Sequence, residues 1–183
     1  MTKICSIIVD PAVSAAARNA REAGGWYSAV QRTADDGGMR CTVHRLVMRG
    51  WQDMWWDIND HRGDAMIMEG HGWHNGEVCG LNLIDLAHTP DMDGGPLLGT
   101  DLLVLGSCYA GSDRMLAALP HLLMRPAVVV GHTGTAYSKD CEPLYPHMIA
   151  AYNGIGRANP ELADALPDWA AGRGWRAAVV EPV

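Results

Sequence analysis

Two residues of the 183-residue chain have both the chemistry and the setting for nucleophilic catalysis, His71 and Cys108. A thiol attacks a carbonyl carbon only as thiolate; its ordinary pKa lies near 8.5, and a neighbouring imidazole is the base that ionises it. Each residue follows an apolar run of strand length. His71 comes after 65–69 (AMIME), inside Gly70-His71-Gly72, and Cys108 comes after 101–105 (DLLVL), inside Gly106-Ser107-Cys108. In an open parallel sheet, chemistry gathers outside the carboxyl ends of the strands. The separation, 108 − 71 = 37 residues, accommodates a hairpin, a loop and one return. If the two strands are neighbours, imidazole and thiol meet at one sheet edge. Glycines on both sides of His71 allow sharp turns and close approach of a substrate. The backbone N–H groups of Gly72 and Cys108 are the candidates for an oxyanion hole, where one donor is worth roughly 3 kcal/mol. A cysteine at the end of a buried strand is, taken alone, more often a small core residue. The pairing with His71 is what favours chemistry.

The elements that must position this pair read as an alternation of strands and helices. Lys3–Val9 is a buried strand, closed by Asp10-Pro11 as a helix cap with proline at the first helical position. Residues 12–23 are alanine-rich and helical in pattern, up to the Gly24-Gly25 break. Trp26, Ala29, Val30 and Thr33 share one face of a second helix ending at Asp36-Gly37-Gly38, and Arg40–Val47 alternates as a strand. Trp51, Met54, Trp55 and Ile58 form an amphipathic helical stripe. After His71 a hairpin is expected, with Asn75-Gly76 as a type I′ turn and Glu77–Leu81 returning. Residues 82–99 read as irregular. Ser112 or Asp113 caps a helix over 113–124, Pro126–Gly131 is a fifth strand, and helices near 142–153 and 161–171 precede a last strand at 176–181. Strands separated by helices imply an α/β fold, a three-layer α/β/α sandwich with a mostly parallel sheet. No repeat or linker divides the chain, so residues 1–183 are expected to form one domain.

Composition narrows the function classes. The chain is 48% apolar and 19% charged, which excludes a disordered chain, and its net charge of −7 with no basic run argues against nucleic acid or anionic membrane as partner. The longest apolar stretches, such as 126–131, are far below the roughly 20 residues of a membrane-spanning helix. Asp10 and Pro11 interrupt the apolar start too early for a signal peptide. Five scattered cysteines (5, 41, 79, 108 and 141), odd in number and without C-x-x-C, speak against a disulfide framework and for a reducing cytoplasm. No cofactor is called for.

Residues 69–72 (EGHG) and 105–111 (LGSCYAG) resemble the two blocks of the caspase-like cysteine peptidases of clan CD, in which one strand ends in His-Gly and a later one in a small residue, the catalytic Cys and a nearby Gly. The stretches 23–46, 75–81 and 128–151 are similar to the family's first helix and second strand, its hairpin, and its strand and helix after the cysteine. The resemblance covers about residues 3–152. It departs from the caspase signature Q-A-C-x-G, since Gly111 comes three residues after Cys108, and the chain is short with no processing linker. A compact bacterial peptidase of the CHAT or orthocaspase kind fits best. The resemblance implies a caspase-like fold, His71 as general base and acid, Cys108 as nucleophile, a protein or peptide substrate, and room for an activating partner protein.

Family members build the S1 pocket partly from the loop after the first strand, with acidic residues for basic P1 side chains. Asp10 therefore points to Arg or Lys at P1, against its other role as helix cap; Arg18 and Arg21 argue the other way. Asp113 is likewise cap or pocket residue, and His132, closing the fifth strand, is a candidate for the cleft lining. His74 reads as a rim residue. Cys5, Cys41 and Cys79 read as fillers, and Cys141 as exposed in a polar loop. Three rival assignments stay open. His71, His74, Cys79 and Cys108 form a possible zinc set. GSCYAG at 106–111 misses a nucleophile elbow by one position, and that chemistry would need His132 or His147. The third is a caspase-like binding module without catalysis.

Overall fold

The computed structural model describes residues 2–10, 26–47, 50–89 and 97–183. The expected helix over 12–23, with Arg18 and Arg21, lies outside them. Apolar runs become the strands of one sheet: β1 (Ile4–Val9), β2 (Arg40–Arg45), β3 (Ala65–Glu69), β7 (Leu102–Gly106), β8 (Ala127–His132) and β9 (Trp175–Val180). Three two-residue strands, β4 (Gly72–Trp73), β5 (Glu77–Val78) and β6 (Leu81–Asn82), form a separate small sheet. The main sheet runs in the order β2-β1-β3-β7-β8-β9, parallel except for β9, which pairs antiparallel with β8. β1, β3, β7 and β8 are buried almost throughout, as strands covered on both faces must be, while the edge strand β2 keeps its Arg and His side chains partly exposed.

Helices cover the two faces. One core packs Ile8, Met66, Met68, Leu103 and Leu105 beneath α2 (Trp51–Asp60), α3 (Leu83–Ala87), α4 (Asp113–Ala118) and the 3₁₀ turn Leu119–Leu122. The other packs Ile7, Ile67, Val104 and Val130 beneath α1 (Trp26–Asp36), α5 (Ser138–Ile155), α6 (Pro160–Asp164) and α7 (Asp168–Ala171). The result is the α/β/α sandwich that alternating elements imply. Among the described residues no helix is long and apolar enough to cross a membrane.

Several expectations need correction. The type I′ geometry sits at Cys79-Gly80, not Asn75-Gly76: Cys79 and Gly80 have φ of 54° and 81° and join the paired residues Val78 and Leu81, whereas Gly76 ends a three-residue loop after Trp73. The helix expected over 113–124 tightens to 3₁₀ at Leu119, where Pro120 withdraws an N–H donor. The helix expected at 142–153 begins at Ser138, because Asp140 is buried and paired with Arg173, which lets a polar segment wind against the core. Cys141 is consequently buried in α5, its thiol against the Tyr137 carbonyl, rather than exposed in a loop. The helix expected over 161–171 is two short ones, since Pro167 cannot continue the first and precedes the second. Within 82–99, residues 83–87 are helical, capped by the Asn82 side chain accepting from the Asp85 N–H.

Candidate active site

Register brings the two chemical loops together. β3 and β7 pair in parallel with Glu69 opposite Gly106, so Gly70-His71-Gly72 and Ser107-Cys108 leave the same edge side by side. The Ser107 hydroxyl donates to the Gly70 carbonyl at 2.9 Å, a buried tie between the loops. Gly72 lies against the nucleophile loop so closely that a Cβ there would stand 2.6 Å from the Cys108 carbonyl oxygen and 2.8 Å from the Cys108 nitrogen. This close approach, rather than an unusual dihedral angle, is what requires glycine. From the other side the Cys79 N–H donates to the His71 carbonyl at 3.1 Å, so the small sheet holds the histidine loop as well.

The Cys108 loop is anchored on β8. The Tyr109 N–H donates to the Gly134 carbonyl at 2.6 Å and the Gly111 N–H to the His132 carbonyl at 2.9 Å. A Cβ on Gly111 would fall 2.3 Å from the Gly131 carbonyl oxygen, so backbone packs on backbone there. Tyr109, at φ 60°, takes the left-handed conformation that lets the chain reverse directly after Cys108. Cys108 is half-buried, with its thiol 3.9 Å from the Ala136 carbonyl. His71 is exposed, and among the described residues no hydrogen bond, ion pair or ring contact engages its imidazole.

Beneath the pair lies a buried acid that motif reading passed over. Glu69, last residue of β3, accepts a short hydrogen bond from the Tyr145 hydroxyl of α5. Burial pushes its pKa up to about 7, partly opposed by that hydroxyl. The signal was present in AMIME, whose one charged residue ends an otherwise apolar strand. Burial and the Glu69 charge also push the thiols of Cys79 and Cys141 upward, and for Cys79 the Asp10 charge adds to this. These two remain inert thiols.

The other candidates distribute unevenly. Asp10 is buried at the end of β1, its N–H donating to the Glu69 carbonyl at 3.0 Å and its side chain packed beside Gly70. It thus lies next to the histidine loop. Asp113 is exposed on the first turn of α4, paired with Arg176, and the cap of that helix is Ser112. His132 is buried and spends both ring nitrogens: Nε2–H donates to the Arg173 carbonyl at 2.7 Å and Nδ1 accepts from the Gly134 N–H at 2.9 Å. It supports the loop that holds Tyr109 instead of lining an open cleft. His147 has Nε2 on the Ala165 carbonyl at 2.9 Å. Neither histidine stands ready as the base of a nucleophile elbow. Nor do His71, His74, Cys79 and Cys108 assemble as a zinc set. Among the described residues the one group of three or more converging metal-ligating side chains is His44, Asp57 and His61, on another flank.

Across 94% of its length this chain superposes on a secreted C11 cysteine protease from Bacteroides thetaiotaomicron, solved in complex with an irreversible peptide inhibitor, with a TM-score of 0.55 at 11% identity. The fold is that of the C11 cysteine proteases. An inactive zymogen C11 protease from Parabacteroides distasonis matches over 93% of this chain, with a TM-score of 0.55 and 10% identity. This chain spans 60% and 59% of those two proteins. No family model matches the sequence, and no curated protein does. The α/β/α sandwich expected from the clan CD resemblance is therefore the architecture present, at a sequence identity too low to carry more than the fold.

Proposed function

We propose that this chain is a cysteine endopeptidase working through His71 and Cys108. The observation that carries this is the in-register exit of their two loops from β3 and β7, at the sheet edge where a parallel α/β fold places its chemistry, within a C11-protease fold. In the mechanism, the His71 imidazole takes the Cys108 thiol proton, and the thiolate attacks the scissile carbonyl carbon. The tetrahedral oxyanion is received by the N–H groups of Gly72 and Cys108. Collapse breaks the C–N bond as the imidazolium protonates the departing amine, leaving a thioacyl-enzyme. His71 then deprotonates a water molecule that hydrolyses the thioester, returning the thiol and releasing the acid.

Substrate preference rests on Asp10, whose place beside the histidine loop suits a pocket for an Arg or Lys P1 side chain better than that of Asp113, on the exposed first turn of α4. An activating partner and a reducing compartment belong to the same proposal; the five free cysteines support the latter. The peptide inhibitor carried by the Bacteroides protein supports a peptide ligand for this fold. The test is a panel of fluorogenic peptides differing at P1, assayed with wild type, Cys108→Ala and Asp10→Ala. Cleavage after Arg or Lys that vanishes in both variants, with Cys108 alkylation intact in Asp10→Ala, is expected. Cleavage that persists in Cys108→Ala overturns the mechanism, and cleavage after basic residues that persists in Asp10→Ala overturns the pocket.

A further inference from the structure

On the flank of the sheet away from β7, three potential ligands converge from two elements. His44 projects from the edge strand β2, Asp57 lies on α2, and His61 stands just beyond the end of α2, one turn after Asp57. His44 Nε2 is 3.0 Å from Asp57 Oδ2, and His61 Nδ1 is 3.5 Å from Asp57 Oδ1. The two imidazoles stack with centroids 3.5 Å apart and planes 12° from parallel. One donor atom from each of the three lies within 4.8 Å of the others.

We propose that His44, Asp57 and His61 form a binding site for a divalent first-row metal ion of the zinc class, joining α2 to the edge of the sheet. Spacing is the first reason. Two donors on a tetrahedral zinc, with bonds of about 2.0–2.1 Å, stand about 3.3 Å apart. The His–Asp distances, which run to the two different carboxylate oxygens, lie on either side of that value, and the stacked rings turn about χ2 to direct both nitrogens at one ion. Charge is the second. Among the described residues Asp57 pairs with no lysine or arginine, only with the two histidines. A bound dication would sit directly against this carboxylate. Donor type is the third: two imidazoles and one carboxylate suit zinc, nickel or copper better than calcium or magnesium, which prefer all-oxygen sets. Each neutral imidazole keeps its proton on binding by shifting it to the other ring nitrogen, so His61 exchanges its 2.9 Å bond to the Asp57 carbonyl for the metal. A water molecule completes the shell. The mouth stays accessible, since the His61 side chain is 43% exposed. The site is distinct from the peptidase pair, since β1 lies between β2 and β3, and β3 in turn lies between β1 and β7.

The probe is Co²⁺, titrated into the full chain and followed by its visible ligand-field bands, with circular dichroism on every variant. The expected result is one Co²⁺ per chain, without the intense thiolate charge-transfer band that a cysteine ligand would give. Binding should weaken at least about 10-fold in His61→Ala, Asp57→Asn and His44→Ala, since even outer-shell losses cost that much, and stay unchanged in His121→Ala. His61 is exposed, so His61→Ala keeps its fold and decides the matter even if His44→Ala does not. No uptake, a thiolate band, or wild-type affinity in His61→Ala would overturn the site.

Discussion

The β3–β7 edge and the β8–β9 edge each end in a histidine, and they use it in opposite ways. At β8, His132 is buried with both ring nitrogens held by backbone and its ring edge-on to Trp175, 5.4 Å away. At β3, His71 is exposed and its ring meets no partner among the described residues, while the backbone around it is tied to β7 and to the small sheet. A general base needs a ring nitrogen still open to the proton it takes, whereas a ring with both nitrogens engaged by backbone serves as scaffold. The difference teaches that position at a strand's carboxyl end is not enough to assign chemistry. The bonds already made by the ring decide it.

Four substitutions sharpen or break that contrast. The largest effect is expected for Gly72→Ala, whose Cβ meets the Cys108 backbone and must push the two loops apart. Peptide hydrolysis should fall about 100-fold or more, the size expected for an ångström of misplacement, while the global melting temperature drops by less than for a core cavity. Wild-type turnover in this variant would mean the loops need not touch. Next is Glu69→Gln. In the fold this carboxyl keeps its proton up to about pH 7, whereas unfolded it ionises near 4.5. Its pKa is raised, so its favourable contribution is complete below about pH 4.5 and is lost as the pH climbs through 7, a change of about 3 kcal/mol. Denaturant melts from pH 4.5 to 8 should show that slope in wild type and a flatter line in Glu69→Gln. His132→Ala removes two buried hydrogen bonds and should cost about 2 kcal/mol in the same melts, yet change Cys108 reactivity less than His71→Ala does. Smallest is Asp113→Ala: its exposed pair with Arg176 should be worth less than about 0.5 kcal/mol.

Much of this was legible in the residues themselves. Buried parallel strands are apolar on both faces, so KICSIIV, AMIME and DLLVL identify themselves, and His-Gly and Ser-Cys at their ends mark the edge. What the chain pattern hides is partnership across long separations. Asp140 is polar and reads as loop until Arg173, 33 residues later, neutralises it within a helix. His132 looks like a cleft residue until the Arg173 carbonyl claims its ring, and His44 looks featureless until α2 brings Asp57 and His61 beside it. Local turn chemistry misled once, at Asn75-Gly76, because the sheet register chose Cys79-Gly80 for the tight reversal despite a non-glycine residue at positive φ.

The most direct test of the central claim is the pH dependence of Cys108 alkylation, resolved by mass spectrometry for every cysteine, in wild type and His71→Ala. Cys108 should react fastest and should slow, with an altered pH profile, when His71 is removed, while the buried Cys79 and Cys141 stay silent. A Cys108 that is inert, or whose profile is the same with and without His71, would contradict the assignment of these two residues as a catalytic pair.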